Sequence, residues 1–246
     1  MKTIVLIPAR YKSTRYPGKP LVLLLGKPMI LWVAELSAQA VGRDNVYVAT
    51  EDRRIADVVE AAGFNSIMTS GEALTGTDRL AEAAEQVRAD IYINVQGDEP
   101  VVNPQDIIKI RDRKVANMGA VVNGFCWMDD KETPTSVNIP KVVTNEAGYL
   151  VYLSRCALPG YKEPKQAPSR YKKQVCIYAF TKDELAAFKS FGRKSELEAH
   201  EDIEILRFLE LNKAIQMVET SGGSLAVDVE EDVFPVETLL RQIHRL

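Results

Sequence analysis

Apolar and polar positions in the first half of the chain follow two alternating patterns. Short continuous apolar runs, the first at Thr3–Pro8, are typical of strands buried on both faces of a parallel sheet. Between these runs, apolar residues recur every three or four positions, which predicts helices. The predicted strands are Thr3–Pro8, Val46–Thr50, Ser66–Met68 and Ile91–Val95, and the predicted helices are Lys27–Ser37, Arg53–Ala62, Arg79–Val87 and one beginning near Pro104. Strands alternating with helices predict a doubly wound α/β fold, whose ligands bind beyond the carboxyl ends of the strands.

The pattern changes after about residue 120, where strand-like segments follow one another. The predicted strands there are Ala120–Phe125, Lys141–Thr144, Tyr149–Ser154 and Gln174–Phe180, with Asn145–Gly148 as a hairpin turn. The remaining predicted elements are helices Lys182–Ser190, Glu196–Leu211 and Val236–Arg245, and strands Ile215–Glu219 and Ser224–Val227. We expect one domain over residues 1–246, with a mostly parallel sheet and a smaller antiparallel or mixed extension within about residues 120–180.

The composition is that of a globular protein. Hydrophobic residues make up 46% of the chain and charged residues 26%, which excludes disordered and collagen-like classes. The three cysteines are widely spaced and form no zinc-binding pattern, which fits a reducing compartment. The first apolar run is too short for a signal peptide, and none approaches the length of a membrane span. We therefore expect a cytoplasmic protein.

Charge is distributed unevenly along the chain. The net charge of -3 gives no general attraction for nucleic acid or an anionic membrane, and we expect neither as a partner. The first 34 residues nevertheless contain no Asp or Glu, and most of their basic residues lie in the loop Ala9–Lys19. Cations and backbone N–H groups after a strand suit a triphosphate, although the loop matches neither a Walker A nor a Gly-x-Gly-x-x-Gly motif. The alternative is a solvated basic loop.

Two aspartates are candidate metal ligands. Asp98 follows the strand Ile91–Val95, so it should reach the same sheet edge as the basic loop. Gly97 beside it would allow a close approach of the backbone, and a carboxylate is a ligand that Mg²⁺ prefers. Asp228 follows the predicted strand Ser224–Val227 and could be a second ligand. The alternatives are a polar turn at Asp98 and a helix cap at Asp228.

Hydrolase chemistry has little support in the sequence. The chain has two histidines, His200 and His244, and no Gly-x-Ser-x-Gly motif. A Ser-His-Asp or Cys-His mechanism is therefore not expected.

Several motifs together resemble the 3-deoxy-manno-octulosonate (Kdo) cytidylyltransferases. The segments that carry the resemblance are Ile7–Leu21, Gly26–Met29, Thr75–Arg79, Asn94–Pro100, Lys141–Val143, Gly148–Tyr149 and Ser154–Arg155. The resemblance implies a Mg²⁺-dependent enzyme that transfers CMP from CTP to the anomeric hydroxyl of an eight-carbon acidic sugar. Pyrophosphate would be released, and the product would serve lipopolysaccharide synthesis. The family also implies a homodimer, and the apolar strands from Ile139 to Leu158 offer an interface for it.

The same resemblance implies roles for individual residues. Lys19, Arg10 and Asp98 would be catalytic, and Asp98 and Asp228 would bind Mg²⁺. The nucleotide would be bound by Pro8, Ala9, Arg10, Ser13, Arg15, Lys19, Thr75, Arg79 and Gln96. The sugar would contact Gln174, Tyr178, Glu201 and Glu204.

The chain departs from the family pattern at several positions. Ala73 and Thr75 stand where the family has histidine and serine, and Gln174 replaces a sugar-facing histidine. A neutral amide there suits a sugar with an additional ammonium group, because like charges in a desolvated pocket repel. We therefore expect 8-amino-3,8-dideoxy-manno-octulosonate to be the preferred sugar. The alternatives are Kdo itself, another acidic sugar, or a nucleotide-binding regulator without turnover.

Overall fold

A nine-stranded sheet passes through the molecule, and helices pack on both of its faces. The computed structural model describes residues 1–13 and 16–244. The strands are β1 (Thr3–Ala9), β2 (Leu23–Leu24), β3 (Lys27–Pro28), β4 (Val46–Thr50), β5 (Asn65–Met68), β6 (Ile91–Val95), β7 (Val121–Trp127), β8 (Lys141–Thr144), β9 (Leu150–Ser154), β10 (Lys172–Phe180) and β11 (Ile215–Glu219). The helices are α1 (Met29–Val41), α2 (Arg53–Ala61), α3 (Gly76–Gln86), α4 (Pro104–Ala116), α5 (Lys182–Ser190), α6 (Glu196–Glu201), α7 (Leu206–Glu210) and α8 (Val233–His244). The predicted α/β class is confirmed.

The central seven strands of the sheet are mostly parallel. Its strand order is β11-β7-β10-β6-β1-β4-β5. Strand β1 pairs in parallel with β4 and β6, β4 with β5, and β7 with β11. Strand β10 runs antiparallel to β6 and β7. The hairpin β8–β9 joins β10 and forms the antiparallel part of the predicted extension.

Burial on both faces explains the continuous apolar runs. In β1, Val5 and Ile7 pack with residues of α1 and α4, whereas Ile4 and Leu6 pack with residues of α3 and α7. The alternation of side chains along a strand thus places apolar residues in two separate cores. The middle of the sheet is therefore a rigid support for the loops at its carboxyl edge.

Polar residues at the helix starts determine where several helices begin. Asp52 and Thr75 cap α2 and α3 by accepting hydrogen bonds from backbone N–H groups in the first turn. Thr181 and Glu184 form a capping box at α5. Within residues 1–13 and 16–244, no helix is long and apolar enough to cross a membrane.

Two predicted elements differ from the structure. The predicted helix Glu196–Leu211 is broken into α6 and α7, because Asp202 has a left-handed φ of 51°. The predicted strand Ser224–Val227 is wrong. Its backbone packs against a loop instead of a strand, with Val227 N donating to Asp98 O at 3.0 Å. The predicted end of the last helix at Arg245 lies outside the described residues.

A buried arginine joins three helices on one face of the sheet. Arg207 of α7 has no solvent exposure, and its guanidinium donates to Asp78 of α3 at 2.8 Å and to Glu198 of α6 at 2.6 Å. Removing one partner of such a buried network leaves charges without compensation, which costs far more than the intact network contributes. Arg207 therefore fixes α3 relative to α6 and α7.

Replacing Arg207 by methionine should destabilise the fold by about 3–5 kcal/mol, because the Asp78 and Glu198 carboxylates stay buried without their cation. Urea unfolding measures this difference. The matched control is Arg53→Met, because the Arg53 side chain forms ion pairs but is 62% exposed. This substitution should change the free energy of unfolding by no more than about 0.5 kcal/mol. Equal unfolding midpoints for the two variants would contradict the assigned role of Arg207.

Candidate active site

A cleft of about 670 Å³ opens at the carboxyl edge of the sheet, beyond the ends of β1 and β6. It is lined by the basic loop, the start of α3, the loop after β6 and the region of α6 and α7. The sequence-predicted residues that line it are Pro8, Ala9, Arg10, Ser13, Lys19, Thr75, Arg79, Gln96, Asp98, Glu204 and Asp228. Residues distant in sequence thus meet around one cavity, as expected of parallel strands that end at the same edge.

A lysine and two aspartates are in contact with one another in the cleft. Lys19 Nζ lies 2.7 Å from Asp98 Oδ2 and 3.4 Å from Asp228 Oδ1. The Lys19 side chain is 15% exposed, so solvent screens these charges less than on an open surface. The ammonium group offsets the repulsion between the two carboxylates, so both can face the same space.

A glycine allows the loop after β6 to approach β1. A Cβ atom at Gly97 would lie 2.8 Å from the carbonyl oxygen of Pro8, closer than side-chain atoms pack in real proteins. The absence of a side chain therefore brings the next residue, Asp98, beside the basic loop. This is the close approach that the sequence predicted for Gly97.

A third carboxyl group lies behind the two aspartates. The pKa of Glu99 is raised to about 7, mainly by burial and also by the charges of Asp98 and Asp228, while a hydrogen bond from Ser224 and the charge of Lys19 oppose the rise. Near neutral pH this group is therefore partly protonated.

Arg79 supplies a cation on the opposite wall. It is 5% exposed, and its Nη1 donates to Thr69 Oγ1 at 2.5 Å and to Ser70 O at 3.2 Å. Burial lowers the pKa of Arg79, and its ion pair with Glu51 raises it. An arginine stays charged despite such shifts, so Arg79 presents a fixed positive charge to the cleft.

Glu204 covers the amino terminus of α3. Its carboxylate accepts hydrogen bonds from Gly76 N at 3.0 Å and Thr77 N at 2.8 Å, and from the Thr77 hydroxyl at 2.6 Å. Burial raises the pKa of Glu204, and these three hydrogen bonds oppose that rise. A Cβ at Gly76 would lie 3.2 Å from Gln96 Nε2, so Gln96 and Glu204 both pack on this helix end.

Arg155 lines the cleft, although no role for it is predicted from the sequence. Its guanidinium donates to three backbone carbonyls, those of Glu201 at 2.5 Å, Val137 at 2.7 Å and Asp202 at 3.1 Å. Beneath it, the fully buried Lys141 donates to the carbonyl of Arg155 itself. The signal for Arg155 was present in the Ser154–Arg155 motif, but no local charge pattern distinguished it.

Three of the predicted sugar contacts lie behind the cleft wall and do not line it. The Glu201 carboxylate accepts from the Ser154 hydroxyl at 2.6 Å and from Arg155 N at 2.8 Å, so it positions Arg155. The Gln174 amide donates to Asn123 at 3.1 Å and to the hydroxyl of the buried Tyr178 at 3.2 Å. Direct sugar contact by Glu201, Gln174 and Tyr178 stays a prediction.

One predicted nucleotide ligand, Arg15, lies outside the described residues. Its predicted contact with the triphosphate therefore stays a prediction.

The donor set suits a magnesium ion that arrives with phosphate. In the part of the chain that the structure describes, no group of three or more His, Cys, Asp or Glu residues could hold a metal ion. Mg²⁺ typically binds through one or two carboxylates, with water and substrate phosphates completing its octahedron. Asp98 and Asp228, which share one ammonium partner, fit that requirement.

Comparison with known proteins gives consistent results. A family model described as cytidylyltransferase matches residues 4–215. The chain is 39% identical to the 3-deoxy-manno-octulosonate cytidylyltransferase of Syntrophotalea carbinolica, over 98% of this chain and 99% of the relative. It is 36% identical to the enzyme of the same name from Escherichia coli, over 98% of this chain and 97% of the relative.

Solved structures agree at the level of the fold. A CMP:2-keto-3-deoxy-manno-octonic acid synthetase complexed with CTP superposes with a TM-score of 0.91 at 36% identity, covering 98% of this chain and 99% of that one. A putative glucose-1-phosphate thymidylyltransferase from Bacillus anthracis gives a TM-score of 0.67 at 16% identity, covering 97% and 95% of the two chains. The second similarity concerns the fold alone.

Proposed function

The chain belongs to the 3-deoxy-manno-octulosonate cytidylyltransferase family, and from that premise we propose that it transfers CMP from CTP to the anomeric hydroxyl of an eight-carbon acidic sugar. Pyrophosphate is the second product. The observation that carries this proposal is the convergence of Lys19, Asp98 and Asp228 in a cleft that Arg10 and Arg79 also line. Such a set of charges suits phosphoryl transfer, in which catalysis is mainly positioning and charge stabilisation.

The basic loop would bind the triphosphate. Arg10, Ser13 and Lys19 line the cleft after β1, and they offer cations and a hydroxyl to phosphate oxygens. Lys19 would exchange its contacts with Asp98 and Asp228 for the reacting phosphate. Its charge would stabilise the negative charge that develops there as the sugar hydroxyl attacks and pyrophosphate leaves.

Asp98 and Asp228 would hold Mg²⁺ once Lys19 turns towards phosphate. When bound, the ion would neutralise phosphate charge and lower the pKa of the attacking hydroxyl. The residues that support this assignment are the two carboxylates themselves, which already share one cation in the cleft.

The acidic sugar would lie at the far end of the cleft. Arg155 and Lys194 line that end and suit the carboxylate of the sugar. Glu204, on the amino terminus of α3, suits its hydroxyl groups because its carboxylate offers oxygens, while Gln96 beside it stays a proposed contact of the nucleotide.

The finer proposal is that the 8-amino sugar is preferred over Kdo. Gln174 places a neutral amide, instead of a possible cation, against the hydroxyl of Tyr178. The acidic residues Asp202 and Glu204 line the cleft itself, whereas Gln174 lies behind its wall. An ammonium group on the sugar would therefore meet less repulsion and more attraction there.

The homodimer is also a proposal. Strand β9 pairs with β8 among the described residues, and Tyr149 just before it bridges to Gln216 of β11, so a partner chain would meet the exposed side chains of β9 and not a free backbone edge. Val151 on this strand is 55% exposed. Exposed apolar side chains of this kind are common in the interfaces of symmetric dimers.

Replacing Lys19 by methionine should lower kcat by roughly 10²–10³-fold, because the reacting phosphate loses a positioned cation. Pyrophosphate release under saturating CTP measures the loss, and circular dichroism checks the fold. Lys12→Met is the matched control, because Lys12 is an exposed residue of the same loop and does not line the cleft. Equal turnover in the two variants would refute the role of Lys19, and absence of turnover in the unmodified chain would favour a non-catalytic regulator.

Side-by-side assays with Kdo and its 8-amino analogue should give the higher kcat/KM for the amino sugar. The reason is that the acidic Asp202 and Glu204 line the cleft, while the neutral Gln174 stands behind its wall in place of a possible cation. Both assays use CTP and Mg²⁺, with EDTA as the control for metal dependence. A higher kcat/KM for Kdo would overturn the sugar preference and leave the cytidylyl transfer intact.

A further inference from the structure

Glu51 stands at the carboxyl edge of the sheet and belongs to no motif identified in the sequence. It follows β4 directly, and β4 is the parallel neighbour of β1. Its side chain is 16% exposed and does not line the cleft. A largely enclosed carboxylate needs partners of positive charge or hydrogen-bond donors, and Glu51 has both kinds.

One oxygen of Glu51 fixes the stem of the basic loop. Oε1 accepts a hydrogen bond from Tyr11 N at 3.0 Å, directly after the cleft residue Arg10. Tyr11 is fixed at two further points, since its carbonyl accepts from Gly18 N at 2.9 Å and its ring stacks 3.4 Å from the Arg54 guanidinium. The two ends of the loop therefore meet at Tyr11, and Glu51 joins this meeting point to β4.

The other oxygen of Glu51 faces Arg79. Oε2 lies 3.1 Å from Arg79 Nη2 but makes no well-aligned hydrogen bond, so the contact is mainly an attraction between charges. The remaining contacts of the guanidinium, to Thr69 and Ser70, are with neutral groups. Glu82 is a further acidic residue near Arg79, but its carboxylate already accepts hydrogen bonds from Ser70.

The two cations that Glu51 connects repel each other. Arg10 and Arg79 both line the cleft, and the charge of Arg10 lowers the pKa of Arg79. A carboxylate that binds Arg79 through one oxygen and the backbone next to Arg10 through the other offsets this repulsion. Glu51 also sets the distance between the basic loop and Arg79, which lie on opposite walls of the cleft.

We propose that Glu51 is a positioning residue that couples the basic loop to Arg79 and so holds the two cations at the spacing that CTP requires. The inference rests on the proposed function, because it assigns CTP as the ligand of both cations. A positioning role for Glu51 predicts a change in CTP affinity opposite in sign to the change expected from charge alone. Removing a negative charge near a triphosphate should tighten binding if only charge matters, and should weaken it if Glu51 positions the cations.

The test measures CTP affinity by isothermal titration calorimetry, with Mg²⁺ present and no sugar. Glu51→Gln keeps the size of the side chain and removes its charge. We expect it to raise the Kd for CTP roughly tenfold, the scale of one lost charged contact. Asp57→Asn is the matched control, because Asp57 is an exposed carboxylate on α2 that pairs with Arg53, and its Kd should equal that of the unmodified chain.

A double-mutant cycle separates positioning from a general loss of structure. If Glu51 acts through Arg79, the tenfold effect should largely vanish when Glu51→Gln is introduced into an Arg79→Gln variant. If the effects of the two substitutions on the binding free energy of CTP are additive, the assignment of Glu51 is overturned. If Arg79→Gln does not fold, Glu51→Gln alone decides whether Glu51 positions the cations. A higher Kd for CTP with an unchanged thermal unfolding midpoint supports that role, and an equal or lower Kd refutes it.

The outcomes distinguish the two proposals. If the unmodified chain binds CTP and Glu51→Gln binds it equally well or more tightly, the role of Glu51 is refuted and the proposed function stands. If the unmodified chain does not bind CTP, the proposed function fails, and the assignment of Glu51 fails with it.

Discussion

The parallel pairing of β1 with β4 and β6 brings three strand ends to one edge of the sheet. Each end leads into a different chemical group. Strand β1 continues into the basic loop with Arg10 and Lys19, β4 into Glu51, and β6 into Gln96 and Asp98. The apolar residues buried on both faces of these strands hold the register, so the charged groups beyond them have little freedom to separate. The position of the cleft therefore follows from the pairing of these three strands.

Charged groups in the cleft are compensated by neighbours within the chain. Lys19 lies between Asp98 and Asp228, Arg79 against Glu51, and Glu204 on the amino terminus of α3. When a phosphate or a metal ion binds, these side chains would exchange one charged partner for another and would not first have to be brought together. Groups that are already oriented lose little freedom on binding, which is the physical basis of electrostatic preorganisation.

The sequence predicted the parts of the structure that depend on local pattern. The continuous apolar runs identified β1, β4 and β6, because strands buried on both faces need apolar residues at every position. Asp98 was placed beside the basic loop from its position after a strand, and the structure puts it 2.7 Å from Lys19. The break between α6 and α7 could not be predicted in this way. The apolar spacing continues through Asp202, whose carbonyl binds the distant Arg155.

Glu51 and Arg155 were missed for a related physical reason. Both act through contacts with backbone groups or side chains far away in sequence, which leave no periodic or charge pattern near them. The predicted strand Ser224–Val227 failed because apolar content alone does not provide a neighbouring strand. That segment instead contacts the Asp98 backbone, which brings Asp228 into the cleft.

The most direct test of the site is a crystal structure of the chain with CTP and Mg²⁺. The arrangement of Lys19, Asp98 and Asp228 predicts that the Lys19 ammonium will be found on a phosphate oxygen, with the metal ion bound by the two carboxylates. The contradicting result is a bound nucleotide while Lys19 remains between Asp98 and Asp228 and the metal lies elsewhere.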